Sequence, residues 1–174
     1  MLGLVFPTIF YAQIITGLAT KWSDEFTEWT IFTDDEELEG ELVMRWQLQG
    51  DFSEWDYRIG DEAGSIKLKW KDNPSEWEIR GYDDIVTARM IWSNDFREWR
   101  ISNNTINLRL KSKYGNTFDE WSIREDDYGD FVIYTSWQGD PREWEIIDEL
   151  DEDISLEMKM ALIFISTFHS FPKN

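Results

Sequence analysis

Six glutamates, Glu28, Glu54, Glu76, Glu98, Glu120 and Glu143, each stand immediately before a tryptophan. Paired carboxylates can perform general acid–base chemistry or displacement at a sugar carbon. A catalytic centre, however, is one place with unequal neighbours, whereas these six are copies of one residue in one local pattern. They serve something repeated, and the sequence reads them as turn residues. Other reactive side chains are few. His169 is the single histidine and sits in an apolar FHSF run, where packing suits it better than proton transfer. There is no cysteine, which removes disulfides, thiolate zinc sites and cysteine nucleophiles together. A serine triad would rest on His169 alone. The acidic runs at 34–37, 126–130 and 148–153 have neither EF-hand spacing nor another calcium template. The sequence therefore predicts no catalytic residue, no metal site, no cofactor and no enzyme activity.

The Glu-Trp pairs begin at 28, 54, 76, 98, 120 and 143, so the period is 22 or 23 residues and once 26. A fixed period of this size marks a repeat architecture. Within a copy, apolar and polar residues alternate, as in Ile66-Lys67-Leu68-Lys69-Trp70 and Trp77-Glu78-Ile79-Arg80, the pattern of strands with one apolar face. Between these arms lie Asn73-Pro74-Ser75-Glu76, Asp95-Phe96-Arg97-Glu98 and Asp140-Pro141-Arg142-Glu143, which carry type I turn chemistry. Setting Asn73 opposite Glu76 places Trp70 opposite Ile79. The same rule pairs Trp22 with Ile31, Trp46 with Ile59, Trp92 with Ile101 and Trp137 with Ile146, while Tyr114 replaces the first-arm tryptophan opposite Ile123. Across the connections it sets Trp77 against Met90 and Trp99 against Leu108. On this reading all eleven tryptophans form one buried inner face: Trp22, Trp46, Trp70, Trp92 and Trp137 from first arms, Trp29, Trp55, Trp77, Trp99, Trp121 and Trp144 from second arms.

The expected fold is all-β. Six hairpins of about 22 residues, some twelve strands over residues 21–148, form an antiparallel meander rolled or closed into a barrel-like sheet. The apolar segment 154–171 packs inside it or caps it, and begins with a strand-like alternation of Ile154, Leu156, Met158 and Met160. Residues 1–20 carry no charge, as in a signal peptide cut after Ala12, a membrane anchor or an ordinary buried apolar segment. That leaves a domain of 21–174 in a protein expected to be exported to the periplasm, the cell surface or the medium. The aromatic hairpins resemble choline-binding repeats of bacterial surface proteins and, less closely, MORN repeats. The punctuating glycines of both families are replaced here by Glu-Trp, so neither choline nor lipid binding is carried over.

With 17 Lys and Arg against 36 Asp and Glu, the formal charge is −19. Such a field repels phosphate backbones, and no nucleic-acid partner is expected. Outward positions are polar except for Phe32, Ile91, Val132, Tyr134 and Ile147. The trio Val132, Tyr134 and Ile147 falls on one hairpin and forms a candidate protein-docking patch, unless the chain's own tail covers it. The expected function is a non-enzymatic binding or scaffold module. The alternatives are a carrier or enzyme holding an apolar ligand inside the sheet, and carbohydrate binding through exposed tryptophans.

Overall fold

The computed structural model describes residues 13–123 and 126–173. Its alternating segments form twelve antiparallel strands in chain order around a closed barrel. The hairpins are β1 (Ile15–Thr20) with β2 (Glu28–Thr33), β3 (Glu39–Trp46) with β4 (Asp51–Ile59), β5 (Glu62–Trp70) with β6 (Asn73–Arg80), β7 (Ile85–Trp92) with β8 (Asp95–Ser102), β9 (Asn107–Ser112) with β10 (Glu120–Ile123), and β11 (Gly129–Trp137) with β12 (Asp140–Leu150). β1 closes the ring on β12, with Leu18 opposite Trp144, so the sheet has no free edge. The expected all-β repeat is thus a barrel. The segment 1–20 is divided: residues 15–20 are the closing strand, so the domain begins before residue 21. The expectation for residues 1–12 lies outside the described residues.

The register differs from the expectation by four residues on five first arms and by six on β3, an even number in every case. Ile66 faces Ile79, Leu68 faces Trp77, and Trp70 faces Asn73. Gly40, Ala88, Leu110 and Ile133 likewise take the places expected for Trp46, Trp92, Tyr114 and Trp137, and Leu18 faces Ile31 in place of Trp22. The reversal comes earlier than the Asn-Pro-Ser-Glu run, at Lys71-Asp72, where Asp72 adopts φ 59°; Asn94 and Gly139 do the same at φ 60° and 76°. Asn73 begins the returning strand instead, and its Oδ1 accepts the Ser75 N–H at 3.2 Å. Across the connections, Trp77 faces Ala88 and Trp99 faces Leu110, in place of Met90 and Leu108.

Inside the barrel runs α1 (Leu156–Phe168), buried on every side from Glu157 onward. Sequence alternation suggests that a strand continues to Met160, but a strand here would have no partner. The wall's backbone groups are already paired with one another, and an unpaired buried backbone is costly. A helix satisfies its own backbone. Ser155 starts it, its side chain accepting the Met158 N–H, and Glu157 lies in the first turn. A ring of twelve strands is wide enough to enclose such a rod of side chains. Trp77 packs edge-on to Phe164 and Phe168, with centroids 4.8 and 4.9 Å away, and Trp55 meets Phe164 at 5.7 Å. Each buried aromatic contributes roughly 4–6 kcal/mol as an upper bound.

Polar side chains fix the helix in place. The Lys159 ammonium pairs with Asp148 at 2.7 Å, their side chains 3% and 1% exposed. It also donates to the Gln13 carbonyl at 3.0 Å, and the Ile15 N–H donates to Asp148 at 3.1 Å. Helix, β12 and β1 are therefore tied at the seam where the barrel closes. Two wall glycines make room for other buried polar groups. A Cβ at Gly81 would lie 1.8 Å from a Glu157 carboxyl oxygen, and one at Gly64 would lie 2.3 Å from the Tyr57 hydroxyl.

The other mouth is plugged by the tail. Phe171 stacks on Phe26 at 5.1 Å, and His169 stacks on Phe96 at 4.6 Å. Burial, with a smaller contribution from the Lys173 ammonium, lowers the His169 pKa to about 3. The folded protein thus prefers neutral histidine, so this residue's stability contribution is complete above its ordinary pKa of about 6.5 and declines as pH falls toward 3. We expect His169→Phe to flatten part of the fall in urea midpoint between pH 6.5 and 3. Parallel curves for the two proteins in that window would contradict this.

Candidate functional site

The turn geometry divides the tryptophans into two rings. Second-arm Trp29, Trp55, Trp77, Trp99, Trp121 and Trp144 are at most 1% exposed and point inward. Each donates its indole N–H to the carbonyl three residues back, at 2.8–3.1 Å: Phe26, Phe52, Pro74, Phe96, Phe118 and Pro141. The recurring Phe or Pro thus supplies a buried acceptor, and the inner ring is polar-satisfied within its own repeat.

First-arm Trp22, Trp46, Trp70, Trp92 and Trp137 are not core. They are 55%, 42%, 55%, 55% and 68% exposed, and Tyr114 at the sixth place is 43% exposed. The register shifts between Leu68 and Trp70, as it does between Met44 and Trp46, Met90 and Trp92, and Thr135 and Trp137. Each irregularity turns the aromatic out of the face it would otherwise share with its inner neighbour. The rings are nevertheless held. Trp22, Trp70, Trp92 and Trp137 donate their N–H to the glutamate six residues on, at 3.4, 3.1, 2.6 and 3.3 Å, and the Tyr114 hydroxyl lies 3.5 Å from Glu120.

The repeated glutamates are not the turn residues that the sequence suggests: they lie in β2, β4, β6, β8, β10 and β12, because the reversals come earlier, and cations fix five of them. Glu28 pairs with Lys21, Glu54 with Arg45 and Lys67, Glu76 with Lys69 and Arg89, Glu98 with Arg109, and Glu120 with Lys113. At Glu76 and Glu98 burial pushes the carboxyl pKa up, but hydrogen bonds from Trp70, Lys69 and Arg89, and from Arg109 and Trp92, outweigh it and lower both. These carboxylates stay ionised at neutral pH. As acceptors engaged by an indole and a cation, they orient Trp70 and Trp92 of the outer ring.

The candidate docking trio lies on the outer wall. Val132 faces Ile147 across β11 and β12, Val132 is half-buried, and Tyr134 and Ile147 are 36% and 44% exposed. The tail does not cover them, because it runs inside the barrel. Closure also brings the outward Phe32 toward this hairpin: Phe32 faces Gly17, and Gly17 faces Glu145. Sequence reasoning missed that juxtaposition, since it depends on the first and last strands meeting. The interior, which one alternative reading assigns to an apolar ligand, is filled by α1. Among the described residues, no group of three or more His, Asp or Glu side chains is arranged to hold a metal ion.

No protein-family model matches the chain, and no curated protein or solved structure resembles it significantly.

Proposed function

We propose that this barrel is a non-enzymatic, multivalent carbohydrate-binding module whose ligand surface is the outer aromatic ring. The observation that carries this reading is the half-exposure of an aromatic at six equivalent positions. Burial does not explain them, because the helix and the inner ring already complete the core. Four of the five indoles, those of Trp22, Trp70, Trp92 and Trp137, are held by glutamates while the rings meet solvent, which is the preorganised platform on which the apolar C–H face of a sugar stacks. Equivalent positions in adjacent hairpins are two strands apart, or about 10 Å from the ~4.8 Å strand spacing, comparable with a disaccharide unit. Six weak subsites on one rim give avidity toward a polymeric glycan without any single tight site.

Biolayer interferometry over immobilised polysaccharides tests this. The protein should bind at least one, and the double variant Trp70→Ala/Trp92→Ala should weaken the apparent affinity about tenfold or more. Binding to none, or binding indifferent to that double change, contradicts the reading. Binding that survives it but is lost in Ile147→Lys would assign recognition to the outer face around Val132, Tyr134 and Ile147, a protein-type patch. The same proposal places the protein outside the cytosol, as the uncharged residues 1–20 suggest. Removal of residues 1–12 leaves β1 whole, so the intact mass from the native cell should begin near Gln13. A mass that includes Met1 would refute the cleavage.

A further inference from the structure

The outer wall of β7, β8 and β9 carries a feature that the repeat does not explain. Arg89 stands directly opposite Arg100, and Arg100 directly opposite Arg109. Like charges facing one another across strands destabilise a sheet, and here three lie in a row on a chain of formal charge −19. Two have counter-ions: Arg89 reaches Glu76 at 3.2 Å and Arg109 reaches Glu98 at 2.7 Å. Arg100, the middle one, is exposed and has no carboxylate within 4.0 Å among the described residues. The wider charge distribution is uneven too. Residues 67–113 hold ten Lys and Arg against seven Asp and Glu, while the rest of the chain holds seven against 29.

Arg100 opens on a groove of about 420 Å³ lined also by Ile91, Trp92, Asn107 and Arg109. Trp92 is 55% exposed, and its indole N–H is fixed to Glu98 at 2.6 Å. Glu98 also receives Arg109, so its charge is spent within the wall. The groove therefore offers a stacking face, an amide able to bond hydroxyls, and a guanidinium whose planar fork suits a carboxylate or sulfate.

We propose that this groove is the acid-recognising subsite of the module, with Arg100 gripping a uronate carboxylate or sugar sulfate while the sugar ring lies on Trp92. The proposal rests on the carbohydrate-binding reading and names its ligand class as acidic saccharides. A nucleic acid or an anionic lipid surface would extend beyond the groove onto walls where acidic residues prevail. A single acidic sugar needs only the groove.

Isothermal titration with an oligogalacturonate, a sulfated oligosaccharide and an uncharged oligosaccharide of equal length tests this, with a single-stranded oligonucleotide as the non-saccharide anion. At least one acidic saccharide should bind more tightly than the uncharged one and lose that advantage at high salt. Arg100→Gln should weaken the acidic ligand about tenfold, the cost of a charge-assisted contact, and leave the uncharged one unchanged. Whether uronate or sulfate shows the effect identifies the acid. Equal affinity for acidic and uncharged saccharides, or indifference to Arg100→Gln, overturns the acid subsite and leaves the aromatic-ring reading standing. No binding to any saccharide overturns both. Oligonucleotide binding with the same Arg100 dependence shows a general anion surface and overturns the saccharide assignment.

Discussion

Trp77→Ala should destabilise the barrel by about 3–5 kcal/mol, the range for removing a large aromatic from a packed core, whereas Trp70→Ala, seven residues away in the same hairpin, should cost at most about 1 kcal/mol. Trp77 is 1% exposed and wedged edge-on between Phe164 and Phe168. Its loss leaves a cavity between wall and helix and removes the hydrogen bond to the Pro74 carbonyl. Trp70 is 55% exposed, and its loss removes one hydrogen bond to Glu76, which keeps Lys69 and Arg89. Urea unfolding of both variants gives the contrast directly. Equal losses would mean that the two aromatics are energetically alike and that the division into rings is wrong.

Lys159→Met should cost about 3–5 kcal/mol, because it leaves the Asp148 carboxylate buried without its cation. The wild-type pair does not have to stabilise the fold for this to hold, since the penalty arises from the charge left behind. Adding Asp148→Asn to Lys159→Met should recover part of the loss, as the amide oxygen can still accept the Ile15 N–H without carrying charge. The pair also specifies position. Every other helix residue from Met158 to Phe168 that faces the wall is apolar or hydrogen-bonds within the helix, and apolar contacts alone tolerate sliding. A loss below about 1 kcal/mol in Lys159→Met, read from urea midpoints, would show the ammonium reaching water.

Period, alternation and parity make the hairpin number, the strand number and the inward second-arm tryptophans legible in the sequence. The first-arm tryptophans were not legible, for a specific reason. Asn73-Pro74-Ser75-Glu76 has the composition of a type I turn, yet Lys71-Asp72 makes the reversal, with Asp72 accepting a left-handed backbone. Moving the turn by two residues shifts the pairing by four, an even number, so Ile66, Leu68, Trp77 and Ile79 keep the expected face. Only the residue beyond the register shift changes side, and in four hairpins that residue is a tryptophan. An irregularity of this kind leaves no mark on a count of alternation. The helix was half legible. The doubly apolar segment pointed inside the sheet, but its conformation depended on the barrel closing and exhausting its hydrogen-bond partners. The Arg89–Arg100–Arg109 row was illegible, because it exists only through the pairing of three strands.

The most direct test of the two-ring account is a ¹H–¹⁵N spectrum of the indole N–H groups, recorded while a saccharide bound by the protein is titrated in. The account predicts that resonances of the outward set, Trp22, Trp46, Trp70, Trp92 and Trp137, exchange quickly with D₂O and shift on binding. Those of Trp29, Trp55, Trp77, Trp99, Trp121 and Trp144 should exchange slowly and stay in place. Shifts confined to the inner six, or an outer set that no saccharide moves, would contradict it.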